Sequence, residues 1–354
     1  MKNKIIAILL SIWMVISMVA CGKAENVTED VDVQEPVKAE ETASEDEGTA
    51  VFVAEPTPQA TEEPASEPVI SWEPVIAEQD VTNKYEGFLA GLEPLYFNKY
   101  MHMDWQEGIF ETGRGYTLDE ILNALSEAYW ALEEQPEIHY LYMDCGNDGV
   151  QELAVEFYGM SIYSPGDDST LVYVIKEREG QLELCYCYET WARSHSELNY
   201  YGYYTSGGSN GASNHGWDAG YINAEGDWNF IYYTEEELDI NQLSADWELN
   251  LIPGIAKSKQ YDGEIIVVTT RFDEIVYDGD TSNYYDIQRY HSYFVDGVDE
   301  GVDVYSDGVY KEIFDEAGVV TYLYEEIGAM IDEKEAALGI TEEIKQGQIL
   351  EWER

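Results

Sequence analysis

Tyr140-Leu141-Tyr142-Met143-Asp144-Cys145-Gly146-Asn147-Asp148-Gly149-Val150-Gln151-Glu152-Leu153-Ala154-Val155 is the stretch at which the chain changes its pattern. Before it, apolar residues recur at helical spacing; from it onward they alternate. Tyr140-Leu141-Tyr142 and Leu153-Ala154-Val155 read as strands. Between them Asn147-Asp148-Gly149 supplies residues that tolerate positive φ and close a hairpin.

Downstream, runs rich in Tyr, Val, Ile and Phe are separated by Gly, Asp, Asn and Ser. They predict strands near 138–143, 151–158, 170–176, 181–189, 199–204, 228–233, 264–271 and 288–295. Thr234 with Glu237 predicts a short helix start. Ile327, Met330, Ile331, Ala337 and Leu338 predict a C-terminal helix, and Thr341 to Trp352 a further one.

Upstream, Tyr85, Phe88, Leu89, Leu92 and Leu95 predict a helix over 84–99, disturbed at Pro94. Thr117-Leu118-Asp119-Glu120 fits a capping box. The stripe Ile121, Leu122, Leu125, Ala128, Tyr129 and Leu132 continues that helix until Pro136 stops it. The pattern is α+β: an N-terminal helical pair, a mostly antiparallel β-sheet and C-terminal helices.

The globular part is expected over 84–354, and it holds all 29 tyrosines. Residues 22–83 carry 17 acidic residues, two lysines and six of the ten prolines, a composition that predicts a disordered spacer. Within it, the short apolar patch Val69-Ile70-Ser71-Trp72 suits a docking peptide. Residues 1–20 begin with Lys2 and Lys4 and continue as an apolar run to Ala20, the layout of a secretory signal. Across 354 residues, 18 Lys+Arg face 72 Asp+Glu, a formal charge of −54. That argues against nucleic-acid binding and against docking on anionic lipid through a basic face.

Met18-Val19-Ala20-Cys21 resembles the lipobox of bacterial lipoproteins, with Met18 where Leu is usual. The resemblance implies cleavage before Cys21, attachment of a diacylglyceryl group to its sulfur, palmitate as a modifying acyl chain, and a place on the extracytoplasmic face of the cell membrane. Asp144 to Leu153 resembles the calcium loop D-x-D-x-D-G-x-x-[DE]. Over residues 85–160 the chain is similar to Gram-positive surface lipoproteins that carry such a loop, ending DGxxEL, after a helical pair.

Calcium takes six to eight oxygen ligands. In the loop, Asp144, Asp148, the Val150 carbonyl and Glu152 are the candidate calcium ligands, and Gly149 permits the turn. Gly146 stands where the pattern has a further carboxylate. A metal-free hairpin accounts for the same residues.

Other motifs are weaker. Gly207-Gly208-Ser209-Asn210-Gly211 matches G-x-S-x-G, but Thr205 to Gly216 reads as a flexible loop tip without the helix that a nucleophile elbow needs. Met101-His102-Met103-Asp104 groups soft ligands of the kind copper takes. Asp278, Asp280, Asp296, Asp299, Asp303 and Asp307 crowd one region, and paired carboxylates of that kind serve glycosidases. Cys145, Cys185 and Cys187 leave an odd thiol once Cys21 is consumed. Cys185 and Cys187, two apart on a strand, are expected on one face, with a bridge from Cys145 to either left open.

These features point to a non-catalytic, membrane-anchored binding lipoprotein, with calcium support as an option. A glycan, a wall polymer or a protein is its candidate partner, met through Tyr-rich strands such as Tyr200-Tyr201-Gly202-Tyr203-Tyr204. The alternative is an extracytoplasmic carboxylate-dependent hydrolase acting on glycan or cell-wall material.

Overall fold

The computed structural model describes residues 72–98, 109–128, 135–160, 162, 169–209, 214–237, 264–278, 281–284, 286–298, 302–306 and 308–352. All lie within the compact unit Ser66–Arg354. Two six-stranded sheets frame it, with a few helices against them. The first sheet runs in the order β2 (Gly115–Tyr116), β1 (Leu95–Tyr96), β6 (Gln181–Thr190), β5 (Ser169–Arg178), β4 (Glu152–Met160), β3 (Glu137–Met143). Only the β1–β6 pair is parallel.

The second sheet runs β14 (Arg289–Asp296), β11 (Glu264–Arg271), β10 (Trp228–Glu237), β9 (Asn214–Ile222), β8 (Tyr203–Ser209), β7 (Ser194–Leu198), antiparallel throughout. A small hairpin, β12 (Tyr277–Asp278) with β13 (Thr281–Ser282), stands apart.

The first sheet is apolar on both faces, which is why β4 and β5 read as near-continuous apolar runs. One face lays Leu153, Val155, Phe157, Leu171, Tyr173 and Ile175 against α1 (Lys84–Leu89) and α2 (Leu118–Ala128), through Phe88, Leu89, Ile121, Leu122 and Leu125. The other face meets the second sheet. There Ala154, Val172, Val174, Tyr186 and Tyr188 share a buried cluster with Leu198, Tyr204 and Ile222. Trp228 of β10 stacks on Tyr186 of β6 at 3.7 Å.

At the far end of the second sheet, α3 (Gly308–Ala317) sets Ile313 and Phe314 on Ile265, Val267 and Tyr293. Tyr221 and Ile231 are covered by the C-terminal elements, α4 (Tyr324–Ala337) and α5 (Glu342–Lys345), through Ile331, Ile340 and Ile344.

The α+β reading holds at this level, with differences in detail. Among the described residues, packing already includes Trp72, ahead of the expected start at Lys84. Trp72 is buried and donates its indole N–H to Asn123 at 3.1 Å, and Glu73 exchanges two hydrogen bonds with the Gln135 amide, at 2.7 and 3.0 Å. The helix expected over 84–99 is α1 alone. Gly91, at φ 74°, ends it by giving its N–H to Phe88, and Leu95–Tyr96 goes on to pair with β6. The capping box does open α2: the Thr117 N–H donates to the Glu120 carboxylate at 2.9 Å, and the Glu120 N–H donates to the Thr117 hydroxyl at 3.4 Å. Its continuation to Pro136 falls mostly outside the described residues.

The helix start at Thr234–Glu237 is a correction. Those residues extend β10, because they pair on one side with Trp217–Asn214 and on the other with Thr270–Val267. Thr205 to Gly216 is likewise no loose tip: Thr205–Ser209 and Asn214–Gly216 belong to the paired strands β8 and β9. The last helix shrinks to α5, because Gln348 and Leu350 turn extended and bond to the backbone of Tyr200 and Leu198. α3 had no sequence expectation.

Cys185 and Cys187 do not share a face. A bulge in β6 shifts the register between Tyr186 and Leu184, so Cys185 joins the inter-sheet cluster while Cys187 packs on the helical side. Cys145, Cys185 and Cys187 are all free thiols.

Candidate binding cleft

Strand β6 leaves the first sheet at Thr190, turns through Trp191, and returns as β7, the edge of the second sheet. The turn is closed by the Ser194 N–H donating to the Trp191 carbonyl at 2.9 Å, with the Trp191 N–H on the Ser194 hydroxyl at 3.1 Å. From this joint, strand alternation and register build three rows across the face that looks toward the first sheet. Leu198, Tyr204, Gly220 and Phe230 form an aromatic row. Ser196, Ser206, Asp218, Tyr233 and Arg271 form a polar row. Ser194, Gly208, Gly216 and Glu235 form the third, whose middle has no side chains.

A cleft of about 200 Å³ opens over these rows, with Glu189 and Trp191 completing its wall. Its floor is bare because two glycines face each other across the β8–β9 ladder. Their neighbours Ser206 and Asp218 hydrogen-bond to each other. The Tyr204 hydroxyl donates to Ser196 at 3.1 Å, and the Ser196 hydroxyl donates to the Glu189 carbonyl at 3.4 Å. Arg271 ends the polar row, with its guanidinium 4.8 Å from the ring centres of both Phe230 and Tyr233.

Burial sets the protonation chemistry. Desolvation pushes the Asp218 carboxyl up, against the Ser206 hydrogen bond and the Arg271 charge that pull it down. Desolvation likewise raises the Tyr204 hydroxyl to about 12, so it remains a hydrogen-bond donor at neutral pH. Among the described residues that line the cleft there is no Lys, Arg or His. The arrangement offers carboxylate acceptors, hydroxyls that both donate and accept, and aromatic walls.

No family model, no curated protein and no solved structure matches the chain. The chemistry of the cleft therefore carries the functional reading.

The residues singled out in the sequence lie elsewhere. Cys21 and the tether up to Ser71 are outside the described residues, as is Met101–Asp104. The candidate calcium loop is satisfied from within. Asp144 accepts the N–H groups of Asp148 and Gly149 at 2.9 and 3.0 Å, and Asp148 accepts that of Val150 at 2.8 Å. Val150 is exposed, while Glu152 is fully buried and directed away into the inter-sheet layer. One Glu152 oxygen takes the Cys145 N–H at 2.7 Å and the other the Lys176 ammonium. Gly146, at φ 80°, packs against Ala224, with no room for a side chain. Among the described residues no three His, Cys, Asp or Glu side chains gather as metal ligands. The loop thus closes on its own backbone N–H groups, and the Lys176 ammonium engages Glu152.

Of the acidic crowd at 278–307, Asp303 folds back onto the N–H groups of Tyr305 and Ser306, and Asp296 onto Gly297. Ser209 of the G-x-S-x-G string does line the cleft, but its hydroxyl takes a hydrogen bond from Arg193 at 3.1 Å, and a strand follows it where an elbow has a helix. The tyrosine run divides as its alternation predicts. Tyr204 faces the cleft, and Tyr203 points the other way, to the buried Glu335 at 2.7 Å. Sequence reading missed the cleft itself. Its signal was the alternation of small and polar residues, Ser194 and Ser196, Ser206 and Gly208, Gly216 and Asp218, on strands whose inward positions are otherwise large.

Proposed function

We propose that the chain is a membrane-anchored extracytoplasmic lipoprotein whose body is a non-catalytic binding module, with the inter-sheet cleft as its contact site. The leader and Cys21 support export and anchoring. The bare Gly208–Gly216 floor between aromatic and hydroxyl-bearing walls is the observation that carries binding, because it is a concave surface with convergent polar groups and no other evident structural task. Two experiments test the reading. Cys21→Ser releases the protein from membranes into the medium, and retention of that variant overturns the anchor. Envelope fragments retained by immobilised wild-type protein are lost with Asp218→Asn; equal retention by both removes the cleft from the reading.

A carboxylate-dependent hydrolase is the second reading. It is favoured by one observation: Asp218, with its raised carboxyl, shares the cleft with Glu189. Release of reducing ends from envelope glycans, abolished by Asp218→Asn, would replace binding with catalysis.

A further inference from the structure

We propose that the cleft holds one uncharged sugar ring, the terminal unit of a glycan, lying on the Gly208–Gly216 floor with its hydroxyls donating to Asp218. This rests on the binding reading above and names its ligand.

Three features select that chemistry. The first is hydrogen bonding. A buried carboxylate needs donors to offset its lost hydration, and Ser196, Ser206 and Tyr204 both give and take protons. Sugar hydroxyls do the same and can add donors to Asp218 beside the Ser206 hydroxyl, which an apolar ligand cannot. The second is shape. The paired glycines put no side chain over the floor, and at Gly208 the adjacent turn leaves no room for one, because a Cβ there would come within 3.1 Å of the Arg193 carbonyl. Trp191 and Tyr233 stand beside that floor as faces for the C–H side of a ring. At about 200 Å³ the cleft is below the ~300–1,000 Å³ of ordinary ligand pockets, which suits one ring rather than a run of them.

The third is charge. Asp218 and Glu189 line the cleft, the neighbouring Arg271 and Arg193 guanidinium groups lie over the Tyr233 and Trp191 rings, and the chain carries −54, so phosphate-bearing or uronic-acid polymers are repelled on approach.

The test is calorimetry and saturation-transfer NMR on the full-length protein in detergent micelles, with methyl glucoside, N-acetylglucosamine and glucuronate as probes. At least one uncharged sugar binds in the millimolar range or tighter, and glucuronate binds at least about tenfold more weakly. Asp218→Asn weakens the uncharged sugar about tenfold or more, as expected for loss of a charge-assisted hydrogen bond. Ser196→Ala is the second variant, read in the same way should Asp218→Asn fail to fold. The proposal is overturned if neither sugar binds, if glucuronate binds as well as they do, or if the folded variants bind unchanged. Envelope fragments retained by wild type and lost with the variants, in the absence of any sugar binding, overturn the sugar while leaving the cleft as a binding site. Loss of both signals overturns the two together.

Discussion

Trp228 lies flat on Tyr186, ring centres 3.7 Å apart and planes 6° from parallel, and this stack joins the two sheets at the centre of their interface. Tyr204 meets both rings edge-on, at 5.2 and 5.7 Å, and is also a wall of the cleft. The joint between the sheets and the candidate site therefore share a side chain. What lets the indole lie flat is Gly220, one strand away. A Cβ there would fall 1.9 Å from the Trp228 ring.

Gly220→Ala is therefore expected to overpack the interface and cost about 1–3 kcal/mol, measured as a shift of the urea midpoint at unchanged slope. Trp228→Leu loses the stack and also destabilises. In the double variant the two costs should fall short of their sum, because the alanine then has no indole to displace. Strict additivity would mean that Gly220 and Trp228 do not interact.

Glu152 and Lys176 form the buried ion pair of the interface, with side chains 0% and 10% exposed. Burial pushes Glu152 up while Lys176 holds it down. Burial opposes the charge on Lys176, yet the Glu152 contact leaves the ammonium pKa raised. Lys176→Met leaves a buried carboxylate without its cation and is expected to cost about 3–5 kcal/mol at pH 7. The deficit should shrink as pH falls below 7 through the raised pKa of the orphaned acid, and level off near the unfolded carboxylate value, about pH 4, where the acid is protonated in both states. A pH-independent deficit in chemical denaturation would contradict this. Because this lysine already serves Glu152, calcium titrated calorimetrically into wild type, Asp144→Ala and Asp148→Ala should give equal heats. A saturable heat in wild type alone would reopen the loop as a metal site.

The legible parts of the fold were those where one physical cause dominates. β4 and β5 are buried on both faces, and their apolar runs announced them. The Thr117–Glu120 box works through residues three apart, so sequence alone located the start of α2. The failures lie where distant partners decide. Thr234–Glu237 has helix-start chemistry, but two neighbouring strands claim its backbone. Residues 348–350 are extended because the backbone around Leu198 and Tyr200 pairs with them. The β6 bulge that parts Cys185 from Cys187 has no sequence signature. The candidate loop has a partner that its local pattern does not show: Glu152 meets Lys176, 24 residues on. The cleft was hidden because its rows cross four or five strands and its floor appears in the sequence only as unremarkable serines and glycines.

His291 gives a pH-dependent test of the second sheet. It is buried on β14, its ring bonded to the Thr269 hydroxyl at 3.0 Å. Desolvation and then the nearby Arg289 charge lower its pKa to about 4. The unfolded chain, titrating near 6.5, binds the proton more readily than the native one. Stability is thus fully present above pH ~6.5 and lost as pH falls towards 4, by roughly 3 kcal/mol in the limit. His291→Gln removes that slope: the difference between wild type and variant should change between pH 7 and pH 4, with wild type losing more. Parallel curves for the two would show that His291 is as free to protonate in the fold as out of it.

The cysteines test anchoring and burial in one measurement. Cys145, Cys185 and Cys187 are 0, 3 and 1% exposed, and burial raises the Cys145 thiol and pushes that of Cys185 up to about 12. A thiol reacts as its thiolate, so depth protects all three groups and a raised pKa further protects Cys145 and Cys185. Cys21, if acylated, has no thiol to offer. The native protein from membranes should therefore release no chromophore from a disulfide reagent such as Ellman's, and the same sample in guanidinium chloride should titrate three thiols. One fast thiol in the native state, retained in Cys145→Ala and lost in Cys21→Ser, would show an unacylated Cys21 and end the lipoprotein proposal. A fast thiol lost only in Cys145→Ala would instead show that the inter-sheet layer opens.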